Sequence, residues 1–224
     1  LGKLSASIEE VTTTMTSLKV ALTDIDSSYW GRSVELRWSI GGSQDGSTDY
    51  ITLSRNTYSG HTFTGLSPGT RYTIQAYVRD EDTNTETWIS VKLYTNSADA
   101  YVSVVKTNFT AIDVRLKGLT TEYTSVKWYI NNNYSGTQTL SNTGNGPVYT
   151  FKSGLKPGYT YTIKARIYIG STYVEKTATA TTLSIGVWSW SASNGTWTNG
   201  NATYTKNAKT AVDNQGAISN FSYL

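Results

Sequence analysis

Gly65-Leu66-Ser67-Pro68-Gly69-Thr70-Arg71-Tyr72-Thr73-Ile74-Gln75-Ala76 returns eighty-nine positions later as Gly154-Leu155-Lys156-Pro157-Gly158-Tyr159-Thr160-Tyr161-Thr162-Ile163-Lys164-Ala165. Leu, Pro and Tyr hold the same places in both, and an alternating run follows each Tyr. A second pair, Leu36-Arg37-Trp38-Ser39-Ile40 and Val126-Lys127-Trp128-Tyr129-Ile130, is offset by ninety positions. Two anchors at nearly one offset mark a duplicated unit. Its length exceeds the roughly 20–50 residues of a solenoid repeat and matches a small domain.

The residues around these anchors alternate with period two. Leu18, Val20 and Leu22 interleave with Lys19 and Ala21; Leu36, Trp38 and Ile40 with Arg37 and Ser39; Tyr72, Ile74, Ala76 and Val78 with Thr73, Gln75, Tyr77 and Arg79. Val91 and Leu93 close the first copy. The second repeats the pattern at Ile112, Val114 and Leu116, at Val126, Trp128 and Ile130, and at Tyr161, Ile163, Ala165 and Ile167. Such alternation turns one set inward and the other toward water, as in half-buried strands. Gly41 to Gly46 and Asn142 to Pro147 read as turn clusters between strands. Short strands without intervening helices predict an all-β chain of two antiparallel sandwiches, over residues 1–96 and 97–183. Residues 184–224 form a separate, aromatic tail.

The Leu-x-Pro-x-x-x-Tyr pattern at Leu66, Pro68 and Tyr72, and again at Leu155, Pro157 and Tyr161, resembles the fibronectin type III family. The resemblance spans residues 7–183. It implies a tyrosine corner in each copy, in which the phenol packs inward and its hydroxyl bonds back to the main chain just upstream. The chemistry suits the residues: Pro fixes one torsion, Gly69 or Gly158 admits a tight bend, and a buried phenol needs a partner. In that family the core Trp usually stands on the second strand. Trp38 and Trp128 fall on the third, in the manner of immunoglobulin domains, and are expected in the cores.

In the tail, Tyr204, Ala208, Ala211 and Val212 recur at helical spacing, which predicts a short helix between Thr203 and Gln215 ending before Gly216. The run Ile218-Ser219-Asn220-Phe221-Ser222-Tyr223-Leu224 resembles a short C-terminal segment of tail and minor structural proteins from phages and prophages of Gram-positive bacteria. That resemblance implies a virion component and a chain that continues beyond Leu224.

Composition narrows the chemistry. Of the 224 residues, 38% are hydrophobic and 16% charged, and there is no cysteine. A thiol nucleophile, a disulfide framework and a thiolate zinc cluster are therefore excluded, and the compartment points toward a bacterial or viral source. The net charge of +3 is spread along the chain. No basic stripe marks a nucleic-acid binder. No apolar run approaches the roughly 20 residues that span a bilayer, so membrane insertion is not expected.

Candidate chemistry is sparse. The single His61 has no nucleophile and orienting acid in sequence patterns that would make it catalytic, and it reads as a strand residue near the surface. No GxSxG, HExxH or phosphate-loop motif occurs. Asp80, Asp82 and Asn84 alternate as calcium ligands can, but they lack the turn Gly and the later Glu of an EF-hand loop, and a solvated hairpin accounts for them. No catalytic residue, metal or cofactor is expected. Trp188, Trp190 and Trp197 stand among Ser, Asn, Thr and Gly; they form either a small core docking the tail or a flat platform for a sugar. The expectation is a non-catalytic spacer or adhesion module of a phage tail or other surface protein. Its partners would be protein subunits of an assembly or a surface glycan. The alternative is a carbohydrate-binding accessory module of a secreted polysaccharide-degrading enzyme.

Overall fold

A computed structural model describes residues 2–55 and 60–184, and beyond these only the backbone of three short strands. The chain divides into two compact units, with the break in the main chain between Asp99 and Ala100. Each unit is a β-sandwich.

The first unit contains β1 (Ser7–Thr13), β2 (Leu18–Thr23), β3 (Ser33–Ile40), β4 (Ser43–Thr52), β5 (His61–Phe63), β6 (Arg71–Asp80) and β7 (Glu86–Tyr94). One sheet runs β1-β2-β5 and the other β4-β3-β6-β7. Every ladder with a resolved register is antiparallel. Period-two side chains from both sheets meet between them: Leu18, Val20 and Leu22 from β2, Leu36 and Trp38 from β3, Phe63 from β5, and Ile74, Ala76 and Val78 from β6. A single turn of 3-10 helix, Ser27–Tyr29, carries the chain from β2 to β3 and buries Tyr29. The Tyr29 hydroxyl donates to the Gly2 carbonyl at 2.8 Å, so its polar tip is satisfied.

The second unit repeats this plan with β8 (Tyr101–Thr107), β9 (Ile112–Leu119), β10 (Ser125–Ile130), β11 (Asn133–Thr139), β12 (Gly144–Asn145), β13 (Tyr149–Phe151), β14 (Thr160–Ile169) and β15 (Thr172–Thr181). Here β9 pairs with β8, β12 and β13, and the facing sheet runs β11-β10-β14-β15. Ile112, Val114 and Leu116, Val126 and Trp128, Phe151, and Ile163, Ala165 and Ile167 fill the core. Three strands facing four in the first unit, and the same plan with the added short strand β12 in the second, form the fibronectin type III-like variant of the immunoglobulin sandwich. Both core indoles are on the third strand of their unit.

Two turn clusters read from the sequence are shorter than expected. Only Gly41 and Gly42 make the β3–β4 tip, and Ser43 to Gly46 already belong to β4. Within the second cluster, Gly144–Asn145 pair with β9. In the tail, β16 (Ser189–Ser191), β17 (Thr196–Thr198) and β18 (Thr203–Tyr204) form a small antiparallel sheet. Thr203 and Tyr204, where the helical spacing begins, are instead extended and paired; the remainder of that stretch lies outside the described residues.

The corner in each copy has one geometry. The Tyr72 hydroxyl accepts the N–H of Ser67 at 2.8 Å, and the Tyr161 hydroxyl accepts that of Lys156 at 2.7 Å. Behind each, a Thr hydroxyl closes the same bend. Thr95 donates to the Ser67 carbonyl at 2.7 Å and Thr182 to the Lys156 carbonyl at 2.6 Å. The first phenol bond is exposed and the second half-buried. Water can replace an exposed partner more readily than a covered one. Tyr161→Phe should therefore lower the stability of its unit by about 1 kcal/mol or more, and Tyr72→Phe by less, within the ~0.5–1.5 kcal/mol of a single hydrogen bond. Urea unfolding of each unit, followed by tryptophan fluorescence, measures both.

Candidate functional site

In each unit the third strand and the short strand before the corner, β3 with β5 and β10 with β13, bring three aromatic positions together. In the second copy, Tyr149 stacks on Trp128 with centroids 5.6 Å apart and meets Phe151 edge-on at 5.0 Å. In the first, His61 takes the place of Tyr149: it stacks on Trp38 at 6.0 Å and meets Phe63 at 4.7 Å. A glycine on the fourth strand makes room in both. A Cβ at Gly136 would collide with the Tyr149 hydroxyl, and one at Gly46 would come within 3.1 Å of His61. The polar ends are occupied locally. Tyr149 shares a hydrogen bond with Ser135 at 2.8 Å, and His61 Nε2 lies 2.6 Å from the Asp45 carboxylate. His61 is therefore a half-buried strand residue packed on a core indole.

A cleft of about 400 Å³ opens in the second unit beside this cluster. Ile130, Asn131, Asn133, Ser135, Ser153 and Tyr161 contribute to its walls, and a smaller hollow of about 210 Å³ adjoins it at Ile130, Ser135 and Ser153. Asn131 and Asn132 make the two-residue β10–β11 turn with φ of +45° and +65°. The first copy builds that turn from Gly41 and Gly42, where positive φ carries no Cβ penalty. The asparagines supply what Gly cannot. The Asn131 side-chain oxygen accepts the Thr162 N–H at 2.9 Å, while its own N–H donates to the Thr162 carbonyl at 2.8 Å. The larger cleft thus presents amides and hydroxyls, and none of its lining residues is a carboxylate. Such walls can hydrogen-bond a ligand but supply no acid–base pair.

The acidic hairpin is a structural clamp. Asp80 is 0% exposed, and its carboxylate accepts from both Nε and Nη2 of Arg32. It also takes the Asp82 N–H at 3.1 Å, and the Thr83 N–H and hydroxyl, each at 2.8 Å. These bonds close the β6–β7 turn and tie it to Arg32. Among the described residues no cluster of three or more metal-ligating side chains occurs. The Arg32 hydrogen bond, opposed by burial and reinforced by the Thr83 bonds, holds the Asp80 carboxyl well below the usual range.

The aromatic residues divide sharply. Trp38, Trp128 and Tyr161 are buried, and Tyr72 packs against the first core. Trp30 and Trp88, which sequence leaves undecided, are both exposed. The Trp30 indole still donates to the Ile25 carbonyl at 3.0 Å. Of the tail tryptophans, Trp190 and Trp197 are register partners on β16 and β17, and Tyr204 on β18 continues the row. Trp188 lies outside the described residues.

No family model matches the chain, and no curated protein does. Among solved structures it is similar to the central fibronectin-III array of RIM-binding protein, at 11% identity and a TM-score of 0.35, over 89% of this chain and 81% of that one. It is also similar to a two fibronectin type-III domain segment from chicken tenascin, at 14% identity and a TM-score of 0.35, over 80% of this chain and 100% of that one.

Asp80 makes the first unit sensitive to acid. Its folded-state carboxyl titrates below its unfolded value of about 3.9, so the stabilisation is complete above that pH. It is lost as pH falls through the depressed folded value. Asp80→Asn should reduce stability at pH 7 by about 1–3 kcal/mol, because the Arg32 charge loses its counterpart. The variant should also lose less between pH 5 and pH 2 than the parent. Urea midpoints across that range give both numbers.

Proposed function

We propose that this chain is a non-catalytic pair of spacer and adhesion domains, carried by a phage or prophage tail protein or another surface-exposed protein. The observation that carries the reading is where its groups are used. The most deeply held carboxylate, Asp80, closes a turn, and Glu35 is gripped between Arg37 and Arg79. His61 is stacked on a core indole. Large aromatics, by contrast, stand open on strand surfaces: Tyr50, Trp88 and Tyr94 on the β4-β3-β6-β7 sheet, Tyr134 and Tyr173 on the β11-β10-β14-β15 sheet. Exposed aromatic surface serves contact, and buried pairing serves the scaffold.

The tail assignment draws support from the Ile218-to-Leu224 run. Partners on this reading are neighbouring protein subunits of a larger assembly or a glycan on a target surface. The cleft lined by Asn131, Asn133, Ser135 and Ser153 favours one second reading, an accessory carbohydrate-binding module of a secreted polysaccharide-degrading enzyme. Gold-labelled antibodies raised against the chain separate the two. Label on released particles or on the cell envelope is the expected result. Label found only on a soluble secreted hydrolase would overturn the proposal in favour of the accessory module.

A further inference from the structure

The outer face of the β4-β3-β6-β7 sheet holds one large side chain in a built setting. Trp88 on β7 is 59% exposed, yet its partner in register, Tyr77 on β6, is only 5% exposed. The two rings lie with centroids 4.9 Å apart at 57°. Tyr77 is itself fixed twice: its hydroxyl donates to Glu86 at 2.7 Å, and the Arg37 guanidinium covers its ring at 4.1 Å. Arg37 is held 2.9 Å from Glu35, whose other oxygen is 2.8 Å from Arg79. The indole therefore rests on a braced platform, and much of its surface is open to solvent.

The next positions in register decide what such a surface could take. Gln75 and Ser90 face each other across β6 and β7 on one side of Trp88, and Arg79 and Glu86 on the other. Neither the Gln75 amide nor the Ser90 hydroxyl has a side-chain hydrogen-bond partner among the described residues. Two carboxylates, Glu35 and Glu86, balance two guanidiniums, Arg37 and Arg79. Immediately around the indole the charges therefore balance, with Lys92 and Arg71 lying farther along the sheet, and one flat apolar surface stands beside a free amide and a free hydroxyl. A stable protein partner needs about 800 Å² of each surface with an apolar centre. The other exposed aromatics of this sheet, Tyr50 and Tyr94, are separated from the indole by charged or polar positions, so no continuous apolar centre forms. A pyranose has the complementary form. Its axial C–H groups make one flat apolar face, and its hydroxyls need hydrogen-bond partners at the rim.

We infer that Trp88, with Gln75 and Ser90, is a binding site for a neutral saccharide, with the sugar ring stacked on the indole. The assignment rests on reading the chain as an adhesion module, and it places the platform on the first sandwich instead of the tail tryptophans.

The test uses the full chain on an array of neutral and acidic glycans. It is followed by titration with soluble hexasaccharides of β-1,4-glucose, β-1,4-N-acetylglucosamine and α-1,6-mannose. Binding to neutral glycans is expected, and Trp88→Ala should weaken it about tenfold or more, as loss of a binding anchor does. Trp88→Phe should recover part of the loss, and Gln75→Ala should weaken binding less than Trp88→Ala does. Tyr94→Ala is the control. Tyr94 is 57% exposed on the same strand, six residues or about 20 Å away, and its loss should leave binding unchanged. Because Trp88 is exposed, these variants should keep the parent's circular dichroism and melting. Binding that survives Trp88→Ala but fails in a Trp190→Ala, Trp197→Ala double variant would overturn this site while leaving the adhesion reading intact. Labelled chain that coats target cells yet binds no glycan would overturn the saccharide assignment in favour of a protein contact. Absence of binding to cells and glycans alike would count against both.

Discussion

One indole between two sheets is the constraint on which each sandwich depends. Trp38 and Trp128 are the largest fully buried side chains among the described residues, and each reaches from the third strand toward the facing sheet. A group of that size sets what can stand around it, because an interior packed to crystal density cannot absorb a misplaced ring. The consequences are visible along the neighbouring strands. A β-bulge lies beside each Trp in the pairing of third and fourth strands, and a glycine follows on the fourth. A second ring, His61 on β5 or Tyr149 on β13, then stacks on the indole. In the second copy the indole N–H donates to the Gln138 side chain at 2.9 Å, and that amide donates onward to the Val148 carbonyl at 3.0 Å. The buried polar atom is satisfied by a link that also ties β11 to the segment leading into β13.

The duplication shows which parts of this arrangement are fixed by packing and which are free. Indole, Phe and corner Tyr are the same in both copies, because each fills or closes the core. The residues at the edge of that core differ. The β3–β4 turn is Gly41-Gly42 in one copy, and the matching turn is Asn131-Asn132 in the other. His61 and Tyr149 stack alike but end in different polar partners, Asp45 and Ser135. The Asn turn accepts positive φ at some cost and gains a side-chain bond to β14 that glycine cannot make.

The fold was legible wherever a strand has one inward and one outward face. β2, β3, β6, β9, β10 and β14 announce themselves by alternation, and the paired Pro-Tyr runs give the duplication. β4 and β11 did not. Ser43–Thr52 and Asn133–Thr139 are polar edge strands with hardly a buried residue, so they carry no period for sequence to show. The cleft was invisible for a related reason: its walls come from residues near 131, 154 and 161, which only the folded turns bring together. Trp88 could be seen in sequence as a tryptophan, but its openness depends on Tyr77 lying in register beneath it. Asp80 reads in sequence as part of a solvated hairpin, because alternation of Asp and Asn is common to calcium loops and exposed turns, yet it is fully buried. The Arg32 guanidinium that claims it comes from forty-eight positions away.

Glu35, gripped by two arginines, has a bearing on how the first sandwich would behave as an attachment point. Within that cluster charge is largely offset within a few ångströms, so little field from it extends outward to draw in or repel an approaching object. Dissolved ions then have no long-range attraction to damp. A grip made beside those three residues would work at touching distance, and dissolved salt would change their part in it little.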